Sequence, residues 1–336
     1  MAEMVSRQKI DSIFNLVALL SAVGEAKPQT AWQVNIGALM NSLEVARQYN
    51  CALFTPSSIG AFGPSSPKDK TPQDTVMRPT TMYGVCKVTG EMLGDYYHSR
   101  FGVDTRSVRF PGLISNVTLP GGGTTDYAVE IYYEAIRSGR FTCPVPGDVY
   151  MDMMYMPDAL RACVELMEAD PTKLVHRNSF NIASMSFTPE IIYAEIKKRL
   201  PDFTMDYDVD PVKKAIAESW PNSLDDTCAR EEWGWKPRES GSVEHDGRYA
   251  GGDPQEESEI VSRNPLRELR GDPGGESGGV VSADSARHGP VPRRSSILPR
   301  VGTARRCRLI LRERPVLRFF GLRSLPVNGW RCTVIP

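Results

Sequence analysis

The sequence predicts an α/β fold built on a parallel sheet, and three observations carry the prediction. Ser12-Ile13-Phe14-Asn15-Leu16-Val17-Ala18-Leu19-Leu20 is a nearly unbroken apolar run, as expected of a strand buried on both faces. Apolar runs of strand length then alternate with stretches of helical periodicity, the order of a βαβ unit. Between two of them lies a hydroxyl-rich loop, punctuated by Gly60 and Gly63, that leads into a helix-forming stretch.

Each element follows from its pattern. Residues 31–49 repeat apolar positions with helical spacing, placing Val34, Leu39, Leu43, Val45 and Ala46 on the inner side. Residues 51–55 form the next strand, 79–101 a helix that Gly102 ends, and 105–109 a third strand. Beyond Pro111 the pattern loosens. Helices are expected at 126–138, 157–169 and 189–200, a short strand at 179–183, and an edge-like strand at 205–209. Met153, Met154, Tyr155 and Met156 read as core, and Trp220, Trp233 and Trp235 as packing anchors.

Composition bounds the function. A chain of 336 residues holds one large or two modest domains, and a net charge of −1 supplies no field for nucleic acid or acidic substrates. The cations are unevenly distributed. Residues 1–237 hold 12 Arg and 11 Lys, whereas 238–336 hold 17 Arg and no Lys, together with 13 Gly and 9 Pro. That shift marks 238–336 as a low-complexity tail unrelated to the rest and expected to be disordered. The seven cysteines show neither a CxxC nor a Cys/His ligand spacing, so reduced thiols and no metal site are expected. No apolar run reaches membrane-spanning length, and neither a signal peptide nor an Arg-rich transit segment opens the chain.

The chemistry concentrates in Thr81-Met82-Tyr83-Gly84-Val85-Cys86-Lys87, a YxxxK pair, with Ser58 twenty-five residues upstream. Positions i and i+4 share a helix face, so phenol and ammonium can point into one pocket. A neighbouring lysine charge favours the phenolate, which lets Tyr83 give or take a proton. The Ser58 hydroxyl can hold a substrate alcohol or carbonyl against that phenol. Tyr and Lys four apart also occur on solvated helix faces; the strand, loop and helix order around them favours hydride chemistry at a carbinol carbon.

On these residues the chain resembles the extended short-chain dehydrogenase/reductases, and among them the L-threonine 3-dehydrogenases of the short-chain type. The resemblance also rests on Ala18-Leu19-Leu20-Ser21-Ala22-Val23-Gly24-Glu25-Ala26, Pro56-Ser57-Ser58-Ile59-Gly60-Ala61-Phe62-Gly63-Pro64 and Pro120-Gly121-Gly122-Gly123-Thr124-Thr125-Asp126-Tyr127. Ser184-Met185-Ser186-Phe187-Thr188-Pro189-Glu190 and Ala215-Ile216-Ala217-Glu218-Ser219-Trp220-Pro221 continue it, so that it covers residues 12–237. It implies a partial NAD-binding domain over 1–115 and a small α+β substrate-binding lobe over 116–237. The fold class is then an incomplete Rossmann-like parallel sheet. No GxGxxG or GxxGxxG precedes Ser12, so the first strands and the Gly-rich phosphate loop are expected to be missing.

The resemblance assigns roles. The implied reaction is NAD-dependent oxidation of the 3-hydroxyl of L-threonine to 2-amino-3-oxobutanoate. Tyr83 is the implied base and a cofactor contact, Lys87 the group that makes it more acidic and holds the nicotinamide ribose, and Ser58 the partner hydroxyl. Ala18, Leu19 and Leu20 pass the cofactor by their backbone, Asn35 holds a water near the lysine, and Pro111, Gly112 and Leu113 flank the nicotinamide. Ser57, Ser58, Thr124 and Thr125 are the implied substrate contacts, although Ser57 could equally cap a turn and Thr125 a helix. A homodimer through 31–49 and 82–101, a mitochondrial location and a role in threonine catabolism complete the expectation. Two alternatives stand beside it: a non-catalytic remnant, and another extended-type enzyme such as a nucleotide-sugar epimerase or reductase.

Overall fold

Short apolar strands feeding longer helices define the chain, and the computed structural model describes residues 1–115, 117, 121–238 and 332–335. The first part comprises α1 (Ala2–Gln8), β1 (Ser12–Asn15), α2 (Ser21–Ala26), α3 (Pro28–Tyr49), β2 (Ala52–Phe54) and β3 (Ser57–Ser58). There follow α4 (Met82–Phe101), β4 (Thr105–Arg106), β5 (Val108–Phe110) and β6 (Gly112–Ile114). The rest is α5 (Tyr127–Arg137), β7 (Arg140–Cys143), β8 (Met151–Tyr155), α6 (Met156–Glu168), β9 (Phe180–Asn181), β10 (Met185–Phe187), α7 (Pro189–Lys197), β11 (Thr204–Tyr207), α8 (Pro211–Ser219), α9 (Thr227–Trp233) and β12 (Cys332–Ile335).

The strands make parallel ladders, as a βαβ chain requires. One runs β12-β1-β2-β4 and the other β3-β5-β9. The same two chain segments feed both, β2 into β3 and β4 into β5. The fold is therefore α/β and Rossmann-like, with helices α3 and α4 packed together beside the sheet. In the remaining part β8 pairs parallel with β6 and antiparallel with β10, while β7 pairs with β11.

Four clusters hold these pieces, the smallest being Ile59, Phe62, Ile216, Trp220 and Leu224. Val5, Ile13, Leu39, Leu43, Cys51, Leu53 and Tyr97 join α1, α3 and α4 to the sheet. Phe14, Phe54 and Val108 on the strands meet Ala162 and Leu166 of α6 and Trp235 beyond α9, with Cys163 packed against them. Tyr127, Ile131, Phe141, Cys143, Met151 and Phe203 form the third core, between α5 and the β7 and β8 strands. Phe54 and Trp235 are fully buried. Each such side chain contributes about 2–3 kcal/mol through burial.

The structure corrects two expectations and adds a strand. The strand expected over 12–20 ends at Asn15, and Ser21–Ala26 is helical. The cause is side-chain competition for the backbone: Asn15 accepts the Val17 amide, and Asn35 takes both the N–H and the C=O of Leu19. The strand expected over 105–109 is broken at Ser107, whose N–H bonds to Arg177 O outside the named ladders. Within the tail expected to be disordered, Cys332–Ile335 is a strand paired parallel to Ser12–Asn15, covering a sheet edge that would otherwise expose its amides. The other residues of that tail lie outside those described, as does most of the loop leading to Gly121.

Candidate active site

The site lies beyond the carboxyl ends of β1 and β2, the place where open α/β sheets bind ligands. Its geometry begins at the first turn of α4. The Thr81 hydroxyl caps that turn by accepting the Gly84 amide at 3.1 Å, and Glu25 of α2 reaches across to accept the Met82 amide at 2.6 Å. Two orphan donors are thereby satisfied, and a carboxylate sits where the helix dipole favours it. Tyr83 is the second residue of this capped turn.

Tyr83 packs its ring against Gly60. A Cβ built on Gly60 would lie 3.1 Å from two Tyr83 ring carbons and 3.5 Å from the Ser58 hydroxyl oxygen. Tyr83 and Ser58 therefore flank the same glycine, both nearly buried at 9 % exposure. Ser58 accepts the Gly60 amide at 3.1 Å, which fixes its hydroxyl at that spot. One helical turn on from Tyr83, the Lys87 ammonium lies 5.3 Å from the phenol ring centroid and donates to Pro56 O at 2.6 Å. The three residues singled out for chemistry are thus brought together around one backbone position.

Gly60→Ala is expected to push the Tyr83 ring by a few tenths of an ångström and to cost roughly tenfold in turnover with little loss of stability. Steady-state kinetics beside a thermal melt would check it. An unchanged turnover would show that the Tyr83 placement is not critical.

The residues expected to meet the cofactor fall in three places. Asn35, on α3, holds the Leu19 peptide at 2.7 and 3.2 Å, and a cleft beside it is lined by Asn15, Val17, Ala18, Asn35, Pro56 and Lys87. Leu20 is exposed at the start of α2. Pro111 and Gly112 are buried at the start of β6, where a Cβ on Gly112 would strike Met153 Sδ at 2.3 Å and the Thr125 methyl at 2.8 Å. Only glycine fits there. Leu113 turns its side chain to the core shared by the sheet and α6.

The expected substrate contacts divide. Ser58 faces Tyr83 across Gly60. Ser57 does not share its orientation: its hydroxyl donates to Glu91, which pairs with Arg109 at 2.8 Å, both ions buried. It is therefore a partner of the buried network rather than a free substrate donor. Thr124 is buried with its hydroxyl 3.3 Å from that of Ser21, and Thr125 packs on Gly112. These two threonines tie the glycine-rich loop to α2 and β6, Thr124 through its hydroxyl and Thr125 through its methyl.

Sequence reasoning missed Glu25, Glu91 and Arg109. Glu91 had a readable signal, since Tyr83, Lys87 and Glu91 fall at i, i+4 and i+8 on one helix face. Arg109 and Glu25 had none, because their partners are supplied by tertiary folding.

A parallel α/β sheet with a YxxxK helix packed against a serine loop defines a short-chain-type, dinucleotide-dependent enzyme class. Comparison with known proteins agrees. Residues 1–183 match the model of the NAD dependent epimerase/dehydratase family. An uncharacterized epimerase/dehydratase of Staphylococcus haemolyticus is 59% identical over 238 residues, spanning 71% of this chain and 75% of that protein. The chain belongs to the NAD-dependent epimerase/dehydratase family, the extended short-chain dehydrogenase/reductases.

Among solved structures, the L-threonine dehydrogenase of Clostridium difficile superposes with a TM-score of 0.71 at 53% identity, covering 80% of each chain. A GalE-like L-threonine dehydrogenase from Cupriavidus necator gives 0.72 at 48% identity, covering 80% of this chain and 82% of its own. The UDP-glucose 4-epimerase of Thermotoga maritima, 20% identical with a TM-score of 0.64 over 80% of this chain and 81% of that one, shares the fold. These relatives overturn the expected mitochondrial location: the curated relatives are staphylococcal, and bacteria have no mitochondria. Among the described residues no helix is long and apolar enough to cross a membrane.

Proposed function

We propose that this chain carries the site of an NAD-dependent L-threonine 3-dehydrogenase. The observation that carries the reading is the convergence of Tyr83 and Ser58 on Gly60, with Lys87 one turn away and tied to Pro56 O. Two superposed relatives, at 53% and 48% identity, are themselves L-threonine dehydrogenases.

The residues present fit the nicotinamide end of the cofactor. The Leu19 peptide held by Asn35 and the cleft between Ala18 and Lys87 offer backbone and ammonium donors at the strand ends. Residues 111–113 stand on the side of Thr125. When bound, NAD supplies the hydride acceptor. The Ser58 hydroxyl holds the substrate oxygen, and Tyr83 removes its proton as the carbinol carbon is oxidised. The link of Lys87 to Pro56 O fixes the ammonium beside the phenol. The low exposure around Gly60 limits competing water.

The test is NADH formation from L-threonine by the purified chain, followed by absorbance. Turnover of a UDP-sugar but not of L-threonine would move the assignment to the epimerase side of the family, which the names of the curated relatives favour. Failure to bind NAD or turn over either substrate would identify a non-catalytic member.

We also propose that α3 and α4 form a homodimer face. Trp32, Val85, Met92 and Tyr96 expose apolar surface along these two helices. Another superposed relative, an L-threonine 3-dehydrogenase from a metagenome, is monomeric. Size exclusion with light scattering decides between the two states.

A further inference from the structure

Away from Tyr83, the loop before β9 and the helix α9 bring together three side chains of metal-ligand type. Cys228 and Glu232 stand four residues apart on one face of α9. His176, more than fifty residues earlier in the chain, packs against them, and one ligand atom from each of the three lies within 4.8 Å of the others. The grouping is not a surface accident of side-chain drift. Glu232 is locked by two backbone amides, Val175 N at 2.5 Å and His176 N at 3.1 Å on Oε2. Its other oxygen is thereby aimed at His176 Nδ1, with which it makes a short hydrogen bond. On the far side of the ring, Nε2 lies 3.4 Å from Oδ2 of the exposed Asp74. A carboxylate behind a histidine, fixing the tautomer that leaves the other nitrogen free to ligate, is the usual outer partner of a metal-bound imidazole.

We propose that His176 Nδ1, Cys228 Sγ and Glu232 Oε1 bind a thiophilic divalent cation, zinc by the donor set, with Asp74 as the group that orients the histidine. One sulfur, one imidazole nitrogen and one carboxylate oxygen are the donors zinc takes, and three protein ligands leave a fourth position for water. All three residues are partly rather than fully buried, so an ion can enter. The carboxylates of Glu232, Asp225, Asp74 and Glu231 surround the thiol with negative charge. The same negative surroundings attract a divalent cation. Binding deprotonates Cys228, releases that proton to solvent and replaces the hydrogen bond between His176 and Glu232. The ion would pin α9 and the 174–176 segment to each other.

The experiment uses the full chain, stripped with chelator and titrated with Zn2+ and, as a spectroscopic probe, Co2+. Expected are one equivalent of saturable binding, a rise in Tm of about 5 °C at a hundredfold excess over Kd, and a thiolate-to-cobalt charge-transfer band in the near ultraviolet. Cys228→Ser is expected to remove the band and weaken Zn2+ binding by about 100-fold or more, since even outer partners of a metal site are worth 10–100-fold. Asp74→Asn, an exposed change that spares the fold, is expected to weaken binding about tenfold. The proposal is overturned by the absence of stoichiometric binding, by a charge-transfer band that survives Cys228→Ser, or by an affinity indifferent to both substitutions.

Discussion

Tyr83→Phe is expected to lower L-threonine-dependent NADH formation by at least about 100-fold, the usual contribution of a positioned general base. Phenylalanine keeps the ring that lies over Gly60 and removes only the hydroxyl. The fold and the first turn of α4, capped by Thr81 and Glu25, should therefore persist. The loss should fall on kcat, with the affinity for NAD retained, because the groups proposed for the cofactor are Asn35, Lys87 and backbone. Steady-state kinetics with fluorescence titration of NADH would separate the two. A Tyr83→Phe enzyme within a few-fold of the parent would remove the phenol from the mechanism, and with it the dehydrogenase reading.

Arg109→Met is expected to destabilise the protein by about 3–5 kcal/mol, because it strands a buried carboxylate. The guanidinium reaches Glu91 through three hydrogen bonds of 2.8–3.3 Å. It also donates to Gln73 O at 2.8 Å and Asn181 Oδ1 at 3.0 Å, and lies 5.1 Å from the Phe62 ring centroid. Without it, Glu91 keeps the Ser57 hydroxyl as partner. Replacing both ions together, Glu91→Leu with Arg109→Met, is expected to recover much of the loss, since the double change buries no lone charge. Urea denaturation of the single and double variants measures both terms. A single replacement costing under about 1 kcal/mol would show that the pair is not a stability element. The pair also carries Ser57, the residue before Ser58, so the single variant should lose activity in step with stability.

Much of this site was legible in the sequence for one physical reason: it depends on local spacing. Tyr83 and Lys87 need only a helix to share a face, and Ser58 needs only the strand-to-helix loop to return it there. The apolar run at 12–20 was harder. Short apolar runs fit strand or helix equally well, and the Asn35 side chain, a helix away, decides where the strand stops. The roles expected for Ser57 and Thr124 failed on orientation, which residue type does not encode. His176, Cys228 and Glu232 were invisible as a group, since no ligand spacing links residues that only packing brings together.

The cysteines packed into these cores have a practical corollary. Burial raises the thiols of Cys51 and Cys143 to about 11 and that of Cys163 to about 12. Since only the anion attacks an electrophile, their reactive fraction at neutral pH is more than about 100-fold below that of a free cysteine. Alkylation of the two buried ones, Cys51 and Cys143, must therefore wait for their own surroundings to open. Because Cys51 and Cys143 are buried in two different clusters, mass-resolved labelling rates report two local opening free energies from a single unmodified chain.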